Sequence, residues 1–183
     1  DEISTKLLGK HNRYNIAVAL QAAVCAGADP DRCLAALPDF TGLEHRLELV
    51  GTIDGVEYIN DSICTIPEAS IAAVEAVGGC DVLIIGGMDR GISYKKLTEY
   101  LNTGAVANVI LLPDSGWRIA QSLDNEKFAV VKARDLADAV NLAHSRAKTR
   151  VVLSPAAASY GFYKNFEERG RHFKELVCAL KTD

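Results

Sequence analysis

A carboxylate, a guanidinium and several hydroxyl groups follow short apolar runs of this chain: Asp61 and Ser62 after one run, Arg90 after a second, and Ser154 and Ser159 after a third. If these runs are parallel strands, their carboxyl ends share one edge of a sheet, where open α/β proteins bind ligands. A helix that starts at that edge favours an anion. We therefore predict a small-molecule site in which these groups converge.

The last run is the most informative, because a strand, a loop and a helix follow one another over residues 151–170. Residues 151–153 have the pattern of a buried strand, and Pro155 ends it because proline has no N–H to donate. Three alanines and Ser159 follow, and then Tyr160 and Gly161; the small side chains leave room for a ligand, and a helical pattern begins at about Phe162. An ordinary buried turn between strand and helix explains the spacing equally well.

The other groups also have purely structural explanations. Asp61 can cap the helix predicted from Pro67, and Arg90 can be a solvated surface residue. The glycine pair at 86–87 can be a tight turn, because no G-x-G-x-x-G follows the strand at 81–85. Spacing alone therefore leaves the site and the structural explanation both open.

Metal and nucleophile chemistry have little support in the sequence. His11 and His45 lack metal-ligand spacing, so no metal site is predicted. Cys64 lies in a loop near serines, but a lone cysteine is weak evidence for a nucleophile. No catalytic residue is therefore assigned within this chain.

Composition favours a globular protein. The 183 residues are 49% hydrophobic and 24% charged, and the formal net charge of −4 argues against a nucleic-acid surface. Five scattered cysteines without C-x-x-C spacing predict reduced thiols and a cytoplasmic location. No apolar stretch reaches the length of a membrane span. Because no signal peptide is visible and the first residue is not Met, we expect a portion of a longer chain.

The elements that must position the site alternate between strands and helices. The pattern predicts a hairpin over 46–60 with a type I′ turn at Asp54-Gly55, helices at 67–77, 94–102, 115–123, 135–147 and 164–180, and strands at 81–85, 108–112, 128–131 and 151–153. Such alternation predicts an α/β fold: a Rossmann-like, mostly parallel sheet flanked by helices, with an N-terminal hairpin strand.

The first part of the chain is helical only. A helix over 12–26 is stopped by Gly27, and a second helix starts at Pro30, with Asp29 as its N-cap, and ends near residue 38. The composition changes at about residue 39, where we place a domain boundary. The predicted domains are therefore 1–38, which is too small to hold a core alone, and 39–183.

Several motifs, in one order, resemble the Mur ligase family. Residues 9–15 (GKHNRYN) are similar to its G-x-H-N-x-x-N motif, and residues 40–48 (FTGLEHRLE) to its hinge segment F-x-G-L-x-H-R-x-E. Residues 58–62 (YINDS) resemble the following I-N-D-S. Residues 153–159 (LSPAAAS), with Phe166 and the E-R-G at 168–170, resemble the tail of the D-glutamate-adding member.

The resemblance implies a three-domain enzyme that forms an amide bond with ATP and Mg2+. In this family an N-terminal domain holds the UDP moiety, a central domain carries a P-loop, and a Rossmann-like C-terminal domain binds the amino acid. The chain contains no G-x-x-x-x-G-K-[ST], so it resembles the last helices of the central domain plus the C-terminal domain. Its implied partners are UDP-N-acetylmuramoyl-L-alanine, D-glutamate and the missing domains. The chain alone is expected to be inactive.

The same resemblance implies roles for particular residues. Asn12 and Asn15 face the adenine, and His45 and Arg46 lie at the hinge beside adenine and ribose or phosphate. Asp61 accepts hydrogen bonds from the ribose hydroxyls. The residues expected to line the amino-acid pocket are Thr65, Arg90, Ser159 and Phe166. The metal ligands are expected outside this chain.

Two departures bear on specificity. The D-glutamate-adding members usually carry I-N-D-S-K-A-T-N, whereas this chain has Ile63 in place of the lysine. Arg90 stands where lysine is usual in the G-G-x-D-K loop, and it keeps the charge. Ile63 leaves open a Mur-type paralogue with another amino acid. A Rossmann-like binding module without catalysis is a separate alternative, but residues 1–38 argue against it, because a stand-alone module has no use for part of a central domain.

Overall fold

The computed structural model describes residues 5–180, and the chain divides into two compact units between Glu44 and His45. The first unit contains helix α1 (Lys10–Cys25), helix α2 (Pro30–Ala36) and a 3-10 turn at Leu37–Asp39. Asp29 caps α2 by accepting a hydrogen bond from the Arg32 N–H at 2.9 Å. Both helices therefore form where the sequence predicts them.

Gly27 ends α1 for a clear backbone reason. Its φ of 93° lies in the left-handed region, which glycine adopts without a Cβ clash. This turn lets the Ala28 N–H reach the Ala23 carbonyl at 3.0 Å and the Gly27 N–H reach the Val24 carbonyl at 3.0 Å. The pair of bonds is a Schellman motif, and it satisfies carbonyls that the helix end would leave unpaired.

The second unit is built on one six-stranded sheet with the order β1-β2-β6-β3-β4-β5. The strands are β1 (Glu48–Ile53), β2 (Val56–Asn60), β3 (Val82–Gly87), β4 (Asn108–Asp114), β5 (Ala129–Lys132) and β6 (Arg150–Leu153). The helices are α3 (Pro67–Ala76), α4 (Lys95–Leu101), α5 (Ser115–Ala120), α6 (Leu136–His144) and α7 (Phe166–Ala179). Only the β1–β2 pair is antiparallel among the described strands. The predicted α/β fold class is confirmed.

Helices cover both faces of the sheet, and each face has its own core. Successive residues of β3 point to opposite faces, so Ile84 packs with Phe173 of α7 in one core and Leu83 packs with Leu97 of α4 in the other. All six β3 residues are buried. This two-sided burial explains why the strand is continuously apolar instead of alternating.

One boundary that matters for the site is the start of helix α7. Helix α7 begins at Phe166, close to its predicted start at residue 164 but later than the start of the helical pattern at Phe162, because Asn165 is its N-cap and accepts a hydrogen bond from the Glu168 N–H at 2.8 Å. Residues before the cap form a turn, in which the Tyr163 N–H bonds the Ser159 carbonyl at 3.0 Å. The loop after β6 is therefore longer than the periodicity suggests.

The hairpin turn matches its prediction. Asp54 and Gly55 have φ values of 51° and 80°, and a type I′ turn needs positive φ at both central positions. The turn places β1 at one edge of the sheet and β2 next to β6. Residues that follow β2 and β6 therefore lie side by side.

Candidate functional site

The carboxyl ends of β2, β6 and β3 are neighbours, and the loops that leave them are joined by backbone hydrogen bonds. The Asp61 N–H donates to the Leu153 carbonyl at 2.8 Å, and the Gly86 N–H donates to the Pro155 carbonyl at 2.8 Å. An isolated bridge also pairs Met88 with Ala158. Three loops that carry predicted site residues thus form one connected edge of the sheet.

Asp61 is buried at this edge, with only 5% of its surface exposed. Its Oδ2 accepts from the Ser154 hydroxyl at 2.7 Å, and its Oδ1 accepts from the Leu47 N–H at 3.3 Å. Burial raises the pKa of Asp61 to about 6, although these hydrogen bonds and the nearby charge of Arg46 pull it down. The carboxylate is oriented and is ionised near neutral pH.

Asn60, the last residue of β2, holds the ring of His45. Its side-chain oxygen accepts from the Ser62 N–H at 3.2 Å, so its amide nitrogen faces Nδ1 of His45 at 2.9 Å. Nδ1 is therefore an acceptor, and the proton of the neutral ring lies on Nε2. Nε2 is buried and has no hydrogen-bond partner within the described residues. The Nε2–H of His45 can therefore donate to an acceptor that does not belong to the described residues.

His45 is enclosed by helix α7. Its ring meets the Phe166 ring edge-on, with centroids 6.3 Å apart. A Cβ added at Gly170 would lie 2.3 Å from Nδ1 of His45, so only glycine fits there. The G of the E-R-G motif is thus explained by the close approach of the histidine ring to the helix backbone.

Arg169 is the most deeply buried cation of the site, with 1% of its surface exposed. Its guanidinium donates to the Ser62 carbonyl at 2.8 Å and to the Ala157 carbonyl at 3.2 Å. Burial lowers its pKa to about 10. Arg169 therefore ties the loop after β2 and the loop after β6 to α7.

Sequence reasoning assigned no role to Arg169, although a signal was present. Phe166, Phe173 and Val177 mark the apolar face of α7, and Arg169 lies on the same face. An arginine at a core position of a helix needs buried acceptors, and loops at a sheet edge can supply them as carbonyls.

The structure brings together only some of the residues that are predicted to line the amino-acid pocket. Nη2 of the exposed Arg90 donates to the carbonyl of the half-buried Thr65 at 2.5 Å. The Phe166 carbonyl accepts from the Ser62 hydroxyl at 2.8 Å. Arg90 with Thr65, and Phe166 with the β2 loop, are thus direct neighbours.

Ser159 lies in a different part of the same edge. It is 3% exposed and lines a cavity of about 280 Å³ together with Gly87 and Tyr163. No hydrogen bond joins Ser159 to Thr65 or Arg90. Its place in a shared pocket with them stays a prediction.

The remaining predicted nucleotide residues are Arg46, Asn12 and Asn15. Arg46 is exposed on the chain between Glu44 and β1. In the first unit, the Asn12 amide donates to the Leu8 carbonyl at 2.7 Å, and the Asn15 amide donates to Oδ1 of Asn12 at 3.2 Å. The two asparagines therefore share one side of α1, and their contact with a nucleotide stays a prediction.

No helix within residues 5–180 is long and apolar enough to cross a membrane. The five cysteines of the chain are free thiols. Within the same residues no cluster of three or more His, Cys, Asp or Glu side chains could hold a metal ion.

Comparison with solved structures identifies the class of fold. The chain superposes on UDP-N-acetylmuramate-alanine ligase from Thermotoga maritima with a TM-score of 0.69 and 19% identity, covering 96% of this chain and 39% of that one. It superposes on Mycobacterium tuberculosis folylpolyglutamate synthase with a TM-score of 0.67 and 17% identity, covering 100% and 42%. The second unit thus has the fold of Mur ligase C-terminal domains.

Sequence comparison shows which ligases the chain resembles in sequence. UDP-N-acetylmuramoylalanine–D-glutamate ligase from Symbiobacterium thermophilum is 41% identical over 98% of this chain, and the Cytophaga hutchinsonii enzyme is 38% identical over 95%. The chain spans about 40% of the length of these relatives. No family model matches it. The chain belongs to the Mur ligase family, and its sequence matches the C-terminal part of the D-glutamate-adding ligases.

Proposed function

We propose that this chain is the C-terminal, amino-acid-binding portion of a cytoplasmic ATP-dependent ligase. The reaction joins D-glutamate to UDP-N-acetylmuramoyl-L-alanine in the synthesis of peptidoglycan precursors, and so serves cell shape and division. The observation that carries the proposal is the match to such ligases at 41% identity over 98% of the chain. The predicted domains, with residues 1–38 as a remnant of a central ATPase domain, are part of this proposal.

In the proposed reaction ATP supplies the phosphoryl group that activates the carboxylate of the UDP-linked substrate, and the amine of D-glutamate then displaces phosphate. Mg2+ would spread the phosphate charge, with its ligands outside this chain. The described residues therefore bind and orient substrates, and the chain alone is expected to be inactive.

Asp61 suits the ribose of ATP because it is an oriented carboxylate. The Ser154 and Leu47 hydrogen bonds fix its plane, and a carboxylate has about four acceptor positions, so capacity remains for two hydroxyl groups. The amides of Asn12 and Asn15 suit adenine because each can donate and accept. His45 and Arg46, the first residues of the second unit, are proposed to contact adenine and ribose or phosphate.

Arg90 and Phe166 suit the carboxylates of an acidic amino acid. The Arg90 guanidinium is exposed and can bind a carboxylate with two parallel hydrogen bonds. Phe166 is the first residue of α7, so its N–H has no partner inside that helix and lies at the positive end of the helix dipole. Thr65 and Ser159 add hydroxyl groups.

A second candidate is a related ligase that adds a different amino acid. Ile63 is half-buried and cannot provide the positive charge that lysine usually provides at this position. The assay of the complete protein should therefore compare D-glutamate with L-glutamate, D-aspartate and neutral D-amino acids.

The decisive assay measures phosphate release by the complete protein in the presence of ATP, Mg2+ and UDP-N-acetylmuramoyl-L-alanine. We expect release that depends on D-glutamate, together with formation of the amide product. Activity with another amino acid alone would support the second candidate. Absence of a P-loop in the preceding sequence would contradict both and leave a binding module.

A further inference from the structure

The loop between β3 and α4 carries Arg90, and a salt bridge from α5 holds that loop. The carboxylate of Asp89, the residue before Arg90, accepts from Nε of Arg118 at 2.5 Å and from Nη2 at 2.6 Å. Two parallel hydrogen bonds of this kind fix orientation as well as distance. The 20% exposure of the Asp89 side chain leaves the pair partly shielded from water.

Arg118 also contacts the C-terminal end of the same loop. Its Nη2 donates to the Ile92 carbonyl at 2.8 Å, and its guanidinium carbon lies 4.8 Å from the centre of the Tyr94 ring. Contact of a cation with an aromatic face stabilises that position. One guanidinium thus spans the segment from Asp89 to Ile92, with Arg90 between its two attachment points.

Backbone contacts complete the restraint. The Asp89 N–H donates to Oδ2 of Asp114 at 2.7 Å, and the Gly91 N–H donates to Oδ1 of Asp89 at 2.9 Å. Gly91 has a φ of 70°, a conformation that side chains other than glycine rarely adopt. Both neighbours of Arg90 are therefore fixed, and its side chain extends to the Thr65 carbonyl.

We propose that Arg118 is a positioning residue for amino-acid binding, acting through Asp89 on Arg90. This inference rests on the proposed function, since it assumes that Arg90 binds a substrate carboxylate. Arg118 does not touch the substrate in this proposal. It holds the loop, and it neutralises the carboxylate nearest in sequence to Arg90.

Arg118 neutralises the charge of Asp89, and this effect is separate from its effect on the position of the loop. Without Arg118 the Asp89 carboxylate would lose its charged partner while remaining adjacent to Arg90. It could then pair with Arg90 and compete with the substrate carboxylate for the same guanidinium. Arg118 therefore keeps the Arg90 charge available for the ligand.

The test is steady-state kinetics of the complete protein carrying Arg118→Ala, Arg118→Lys, or Arg118→Ala with Asp89→Asn. We expect Arg118→Ala to raise the KM for D-glutamate by about threefold to tenfold, with the KM for ATP unchanged. Lysine keeps the charge but loses the fork, so Arg118→Lys should have a smaller effect. Adding Asp89→Asn should lower the raised KM, because the competing carboxylate is gone.

Lys127→Ala is the control, because Lys127 pairs with Asp124 at 3.3 Å just before β5, at the end of the sheet where the strands begin and opposite to this loop. It should leave both KM values unchanged. An equal rise in both KM values for Arg118→Ala, or an unchanged KM for D-glutamate, would overturn the proposal. A double variant no better than the single one would overturn its charge component.

Amide hydrogen exchange of the same proteins separates this inference from the proposed function. Arg118→Ala should speed exchange at Gly91 while β3 stays protected, and Lys127→Ala should leave exchange at Gly91 unchanged. If the unsubstituted protein has no ligase activity, the proposed function fails, and unchanged exchange at Gly91 would still refute the role of Arg118 in holding the loop.

Discussion

At the scale of single residues, Asp61 makes the free energy of unfolding depend on pH. Burial raises its pKa from 3.8 to about 6, so the folded state binds its proton more tightly than the unfolded state does. The contribution of Asp61 to the free energy of unfolding is therefore greatest below about pH 4. It falls as the pH rises to about 6, by about 3 kcal/mol at most, and is constant above that.

Asp61→Asn should remove this fall in the free energy of unfolding with rising pH. The asparagine oxygen can accept from the Leu47 N–H, and its amide can donate to the Ser154 hydroxyl, so the shape and hydrogen bonding of the site are retained. Urea unfolding at pH 4.5 and pH 8 measures the effect. The variant should gain stability relative to the unsubstituted chain as the pH rises, and equal pH slopes would show that the carboxylate is not desolvated.

Gly170 is a second residue with a measurable role. Glycine to alanine normally stabilises a helix by about 1 kcal/mol, but here the new Cβ would lie 2.3 Å from the His45 ring. Gly170→Ala should therefore destabilise the second unit, by roughly 1–3 kcal/mol, because the ring must leave Asn60. Glu175→Ala, at an exposed position of the same helix, is the control for thermal unfolding. A stabilised Gly170→Ala protein would contradict this packing.

At the scale of elements, α1 is far less buried than the central strand β3. Among its described side chains only Ile16 is buried, whereas Tyr14 is 73% exposed and Val18 is 52% exposed. A 16-residue helix with so little packing is marginally stable in water. We propose that these apolar side chains pack against the central domain of the complete protein.

Hydrogen exchange of the isolated chain tests this difference. Amides of α1 should exchange much faster than those of β3, whose six residues are all buried. In the complete protein, α1 should become protected. Equal protection of α1 and β3 in the isolated chain would contradict the interpretation that α1 lacks its packing partner.

Local patterns predicted most elements, because they are set by neighbours in sequence. Asp29-Pro30 started α2, Asp54-Gly55 made the hairpin turn, and the apolar run of β3 formed a buried strand. Helix α7 starts close to its predicted start at residue 164, although the helical spacing itself begins at Phe162, because Asn165 supplies the cap. Apolar spacing alone does not show at which residue a helix begins, because the N-cap side chain sets that residue.

The contacts within the site were harder to predict, because they join distant parts of the chain. Asp61 and Ser154 are 93 positions apart, and Arg169 and Ser62 are 107 apart. The sequence predicted that such residues share one sheet edge. It contained nothing to show that Arg118 pairs with Asp89, since either charge could equally have faced solvent.

At the scale of the whole molecule, the loops after β2, β6 and β3 meet at one edge of the sheet, and two arginines on helices hold them there: the buried Arg169 and the exposed Arg118. Arg169 joins two of these loops to α7, and Arg118 holds the third. The exposed Arg90 then extends from a restrained backbone. Such an arrangement suits a ligand that carries a carboxylate, as an incoming amino acid does.

The most direct test of the proposed role is the Arg90→Ala variant of the complete protein, assayed for the KM of D-glutamate and of ATP. Loss of a charge-assisted hydrogen bond of roughly 1.5–3 kcal/mol should raise the KM for D-glutamate by about tenfold to a hundredfold and leave the KM for ATP nearly unchanged. An unchanged KM for D-glutamate with a raised KM for ATP would assign this loop to the nucleotide and contradict the account.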